Sequence, residues 1–177
     1  MSDKLNYGND LQYVDNFMLN MLTVLVEEAS DDFWKILKYG KVDATTNPAH
    51  TISENEKWAM IKQNTDATRI LLRKYNNDII VDAHTEVRIF NAMWNVPEVG
   101  NFNLSVGFEV ISENKIINLE DGRTTLNYIR HEIYRIFNNR SILKGVGRIS
   151  TVGSRGMIAT FNDLYQGYAF DMQVAST

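Results

Sequence analysis

Two runs of strict period-2 alternation constrain this chain more than any other feature. Val81, Ala83, Val87 and Ile89 alternate with Asp82, His84, Glu86 and Arg88, and Leu104, Val106, Phe108 and Val110 alternate with Asn103, Ser105, Gly107 and Glu109. Successive side chains of a strand point to opposite faces, so each run reads as a half-buried antiparallel strand with one face on a core. The polar face is then presented outward, as suited to contact or assembly as to lining a pocket.

With 177 residues, 44% of them hydrophobic, the chain is long enough for one domain with a real core and short for two. A single domain over residues 1–177 is expected. The absence of cysteine excludes a disulfide framework and a thiolate zinc site, and fits a reducing compartment. No apolar run approaches the roughly 18 residues that span a bilayer, and the N-terminus lacks the basic and apolar regions of a signal peptide. A chain that is neither exported nor held in a membrane is therefore expected. A formal net charge of -4 argues against indiscriminate nucleic-acid binding, which needs a basic footprint.

Leu11, Val14, Phe17, Met18, Met21, Leu22 and Leu25 recur at helical spacing after a cap at Asn9 or Asp10. Such a Met- and Leu-rich stripe is a core or partner-helix face. Ser30, Asp31 and Asp32 ahead of Phe33, Trp34, Ile36 and Leu37 predict a break and a new helical turn. Residues 40–52 (GKVDATTNPAHTI) read as a loop, and Ser53 with Glu56 matches a capping box for the next helix. An apolar stretch at Ile70, Leu71 and Leu72 stops at the turn cluster Asn76-Asn77-Asp78, which leads into the first strand. Residues 91–102, with Pro97 and Gly100, read as a long link between the strands. A helix opens at Asp121-Gly122-Arg123, with Leu126, Ile129, Ile133, Ile136 and Phe137 as its seam, and runs to Asn139. Short strands are expected over 146–152 and 157–161, and a last one carries Tyr168, Phe170, Met172 and Val174. The fold class is α+β: a mainly antiparallel sheet of four or five strands (78–177), a helix across one face, and extra helices from residues 1–77.

Reactive constellations are scarce. Asp82, His84 and Glu86 share one strand face and could offer three metal ligands, but alternation alone produces such rows and Arg88 extends this one, so it reads as a solvated or subunit-facing polar edge. Residues 145–148 (GVGR) follow a helix instead of a strand and lack a G-K-[ST] ending, so they make no phosphate loop. Residues 153–156 (GSRG) lack the spacing of a nucleophile elbow. His131 falls off the helix seam and reads as exposed. The acid pairs Glu27-Glu28 and Asp31-Asp32 sit at helix ends, where the macrodipole and solvent account for them. No catalytic group, metal or cofactor is therefore expected, and an enzyme that gathers residues from distant positions is the rival reading. Trp94, with Met93, Val96 and Phe102 near it, is either folded onto the core or an anchor in an interface.

The order of elements, with residues 87–90 (VRIF), 104–110 (LSVGFEV), 121–137 (DGRTTLNYIRHEIYRIF) and 168–174 (YAFDMQV), resembles the tail-terminator and neck proteins of tailed bacteriophages. The resemblance covers residues 79–175. It implies a virion protein, assembled in the host cytoplasm, that forms a homo-oligomeric ring, usually of six. Such a ring ends the tail tube and joins it to the head connector while DNA passes through the lumen without specific binding. On that reading the segments 91–102 and 145–156 touch neighbouring rings, with Trp94, Phe102, Arg148 and Arg155 as interface residues. The larger N-terminal part, residues 1–77, leaves a head-completion or adaptor ring of the neck as an alternative station.

Overall fold

The computed structural model describes residues 7–63, 65–72, 84–98, 101–143, 147–151, 156–160 and 163–175. Among these the order is α1 (Tyr7–Glu28), α2 (Asp31–Tyr39), α3 (Glu54–Ile61), β1 (Ile70–Leu71), β2 (Thr85–Glu98), β3 (Asn101–Glu113), a short 3-10 turn (Asn114–Ile116), α4 (Thr125–Phe137), β4 (Arg148–Ser150), β5 (Gly156–Thr160) and β6 (Tyr165–Ala175). The class is α+β, as expected. The sheet has six strands in the order β1-β2-β3-β6-β4, with β5 also on β6. Five of its strands pair antiparallel and only β1 runs parallel to its neighbour β2.

The local signals explain most helix ends. Ser30 Oγ accepts from Phe33 N to start α2, and Gly40, at φ 54, closes it by donating to Ile36 O. Ser53 and Glu56 exchange backbone bonds as a full capping box at α3. The helix expected from residue 121 begins instead at Thr125. Gly122 adopts φ 83, and the Asp121 carboxylate accepts from Arg123 N, which makes a tight turn of these residues. Arg123 then clamps the turn, 2.9 Å from Asp32 and over the Tyr128 ring.

One face of the sheet carries the core. Val87, Ile89, Val106, Phe108, Val110, Phe170 and Met172 meet Ile129, Ile133, Ile136 and Phe137 of α4, and Phe17, Met21, Leu25, Phe33, Trp34 and Leu37 complete the cluster. Phe108 stacks on Phe170 with centroids 5.0 Å apart, and Phe137 lies 6.0 Å from Phe108. Burial of these large side chains, at about 1.5–3 kcal/mol each, outweighs the modest helix propensities of the segments that supply them.

The segment read as a link, residues 91–102, is mostly strand. β2 continues to Glu98 and β3 starts at Asn101. Pro97 is compatible with this because it falls where the β2–β3 register slips, between Asn95 and Glu98, so its missing N–H breaks no regular rung. Within the β2–β3 ladder, Gly107 of β3 faces Phe90 of β2: a methyl group there would sit inside the Phe90 ring, so the aromatic covers the place a side chain would take.

Candidate assembly site

The edges and ends of the sheet are where this fold has surface to offer. β6 gives one edge to β3, from Leu104↔Val174 to Glu113↔Tyr165. Its other edge is shared end to end by β4, on residues 173–175, and β5, on residues 166–170. The outer side of β4 is taken by the chain leaving α4: Asn139 N donates to Ile149 O, and Ile149 N to Arg140 O. Among the described residues nothing pairs with the outer side of β5, and Met157 and Ile158 there are 66% and 73% exposed. At the opposite edge of the sheet, β1 covers only Val87 and Arg88 of β2. Beyond the last β3–β6 pair, residues 101–103 of β3 bond to β2 alone, so the hairpin end is a two-stranded ribbon past the rest of the sheet.

Of the expected interface residues, Phe102 lies on this ribbon and Trp94 at its base, paired in register with Leu104. Arg148 is exposed on β4 and donates to Asn139 Oδ1 at 3.3 Å. Arg155 lies outside the described residues. His131 is exposed, as expected.

The row that alternation placed outward is corrected by the structure. Glu86 and Arg88 are 4% and 7% exposed and, with Glu109, form a buried ion-pair row on the face of the sheet away from the helices. Arg88 Nε donates to Glu86 Oε1 at 2.6 Å, Arg88 Nη1 stands 3.5 Å from Glu109 Oε2, and His84 Nε2 is 3.5 Å from Glu86 Oε2. Burial pushes the Glu86 carboxyl up, but the His84 hydrogen bond and the Arg88 charge outweigh it and hold the group below its ordinary value. Pattern alone could not reveal this, since a buried polar strand face and a solvated one alternate alike. Asp82 lies outside the described residues, and among those described no three acids or histidines are grouped to hold a metal.

A cleft of about 240 Å³ is lined by Lys38, Glu56, Ala59, Met60, Ala67 and Arg69. Its charges are spent on the fold. Lys38 Nζ donates to Tyr39 Oη, Thr51 O and Glu56 Oε1, and Arg69 Nη1 donates to the carbonyls of Asp66 and Thr68. Lys38 and the cap at Ser53 hold the Glu56 carboxyl down at about 2. This is a latch between α2 and α3 and offers no group poised for acid–base work.

No described helix is long and apolar enough to cross a membrane. Residues 30–174 match the model of one protein family, YomW. A comparison with the curated proteins finds no match.

Proposed function

Because the chain belongs to the YomW family, a family derived from Bacillus phages of the SPbeta type, we propose that it is a structural virion protein. Its subunits form a ring at the head-proximal end of the tail, ending the tube and joining it to the head connector. The observation that carries this reading is the β2–β3 hairpin. Its strands of 14 and 13 residues, roughly 45 Å long, outreach the 13-residue α4, about 20 Å long, and end in the ribbon beyond the β3–β6 ladder. A rigid body with a strand ribbon at one end suits stacking of one ring on the next. A net charge of -4 suits a lumen that DNA traverses without sticking.

The test is reconstitution with the tail-tube and head-connector proteins of the same phage, read by native mass spectrometry and negative-stain imaging. A ring, six-membered on the resemblance, at the end of the tube supports the proposal. A ring that binds the connector but not the tube moves the protein to an adaptor station in the neck. A chain that stays monomeric and binds neither overturns it.

A further inference from the structure

Among the described residues, two edge stretches of the sheet have no strand on their outer side: β5, and β2 beyond the cover of β1. Charged residues make up 23% of the sequence, yet none occurs in β5, residues 156–160 (GMIAT), or in residues 91–96 of β2 (NAMWNV), the stretch beyond the cover of β1. Soluble monomers guard exposed edges with charges, prolines, bulges or covering segments, because unpaired N–H and C=O groups template pairing with another chain. On β2 the guards are Pro97 at the far end and a register shift at Ala92; on β5, Met157 and Ile158 are exposed instead of charged side chains.

We propose, resting on the ring reading, that neighbouring copies of this chain join by strand pairing, β5 of one copy against residues 91–96 of β2 in the next. The occupant is a second copy because one chain supplies both uncharged edges, at opposite sides of one sheet, with similar lengths of five and six residues. The strand senses agree. β2 is antiparallel to β3, β3 to β6 and β6 to β5, so β5 runs opposite to β2. β5 is level with residues 85–89 of β2, so a neighbour set beside β5 in the same orientation and displaced along the strand direction by about six residues presents residues 91–96 antiparallel to it, the pairing that a short ladder favours. Joining two different edges is a heterologous contact, which leaves each dimer with both edges still open and closes only in a ring. The bulge at Ala92 adds twist and bend at the joint, as closure of a sheet requires.

The chain has no cysteine, so introduced ones report cleanly. Ile158→Cys is combined in turn with Asn91→Cys and Ala92→Cys, at positions exposed on each strand, and assemblies formed with the tube protein are oxidised. The expected result is a ladder of covalent multimers from a double variant and none from Ile158→Cys alone. Ile158→Lys should cut assembly at least tenfold while leaving the melting temperature within about 2 °C. A ring by native mass spectrometry that gives no ladder and survives Ile158→Lys overturns the edge pairing and leaves the ring reading standing. Covalent dimers from Ile158→Cys alone show a two-fold β5–β5 contact and overturn it as well. A chain that stays monomeric beside the tube overturns both.

Discussion

Arg88 Nη2 lies 2.5 Å from Glu86 Oε1 on the sheet face away from the helices, with both side chains less than a tenth exposed. Removing the guanidinium takes from the buried Glu86 carboxylate its nearest cation, so Arg88→Met should cost on the order of 3–5 kcal/mol at pH 7. The pH dependence has a definite sign. The folded Glu86 group sits below its ordinary value of 4.5, so its stabilisation is present above that pH and is lost as pH falls through the depressed folded value. In Arg88→Met the burial that raises the group is opposed by His84 without the Arg88 charge and hydrogen bond, and the deficit relative to wild type should shrink from pH 7 to pH 5. Urea melts at the two pH values measure this. A loss below about 1 kcal/mol at both would mean that the pair contributes little.

The latch between α2 and α3 makes a different prediction. Glu56 is bound by Lys38 at 2.7 Å and by the Ser53 backbone at 2.8 Å. Its carboxyl should titrate near pH 2 in a carbon-detected NMR experiment, well under the ordinary 4.5. Its contribution is present above 4.5 and fades as pH drops toward 2. The pair is half in solvent, so its Coulomb part is small. The cap is the larger share: Ser53→Ala should cost about 1 kcal/mol and Lys38→Met less.

Gly107 is required by contact, not by backbone conformation. A Cβ there would overlap the Phe90 ring, so Gly107→Ala should destabilise by about 1–3 kcal/mol through overpacking. The double change Gly107→Ala with Phe90→Ala should recover part of that loss if the ring is the obstacle. An additive double variant in chemical denaturation would place the strain elsewhere.

These sites mark how far the fold could be read from the chain. Where one physical rule decides, the reading holds: the caps at Ser30 and Ser53, the strand over 104–110 and the seam of α4 follow from hydrogen-bond chemistry and periodicity. Where two rules compete it fails. Pro97 reads as a breaker, but it falls at an irregular rung between Asn95 and Glu98. Asp121-Gly122-Arg123 resembles a helix start and is instead a turn held by its own side chains. The polar row at Glu86 and Arg88 has the alternation of a wet face; that it is dry shows only in the folded sheet, where both are buried beside Glu109 of β3. The edges are not legible in charge alone, because residues 101–108 and 164–170 inside the sheet are uncharged too; the pairing order of the strands shows which segments are edges.

The last prediction concerns α1, which precedes the part of the chain that matches the family model. An appendage could be removed without loss, but Phe17, Met21 and Leu25 are at most 1% exposed and belong to the same core as the sheet and α4. Met21→Ala should therefore cost about 2–5 kcal/mol. Leu19→Ala, at a position 55% exposed, should stay within about 0.5 kcal/mol. Deleting residues 1–28 should abolish the cooperative thermal transition, because it uncovers the α4 and α3 surfaces on which α1 packs. A truncated chain that melts cooperatively near the full-length temperature would show that residues 30–174 hold a complete core and that α1 merely covers it.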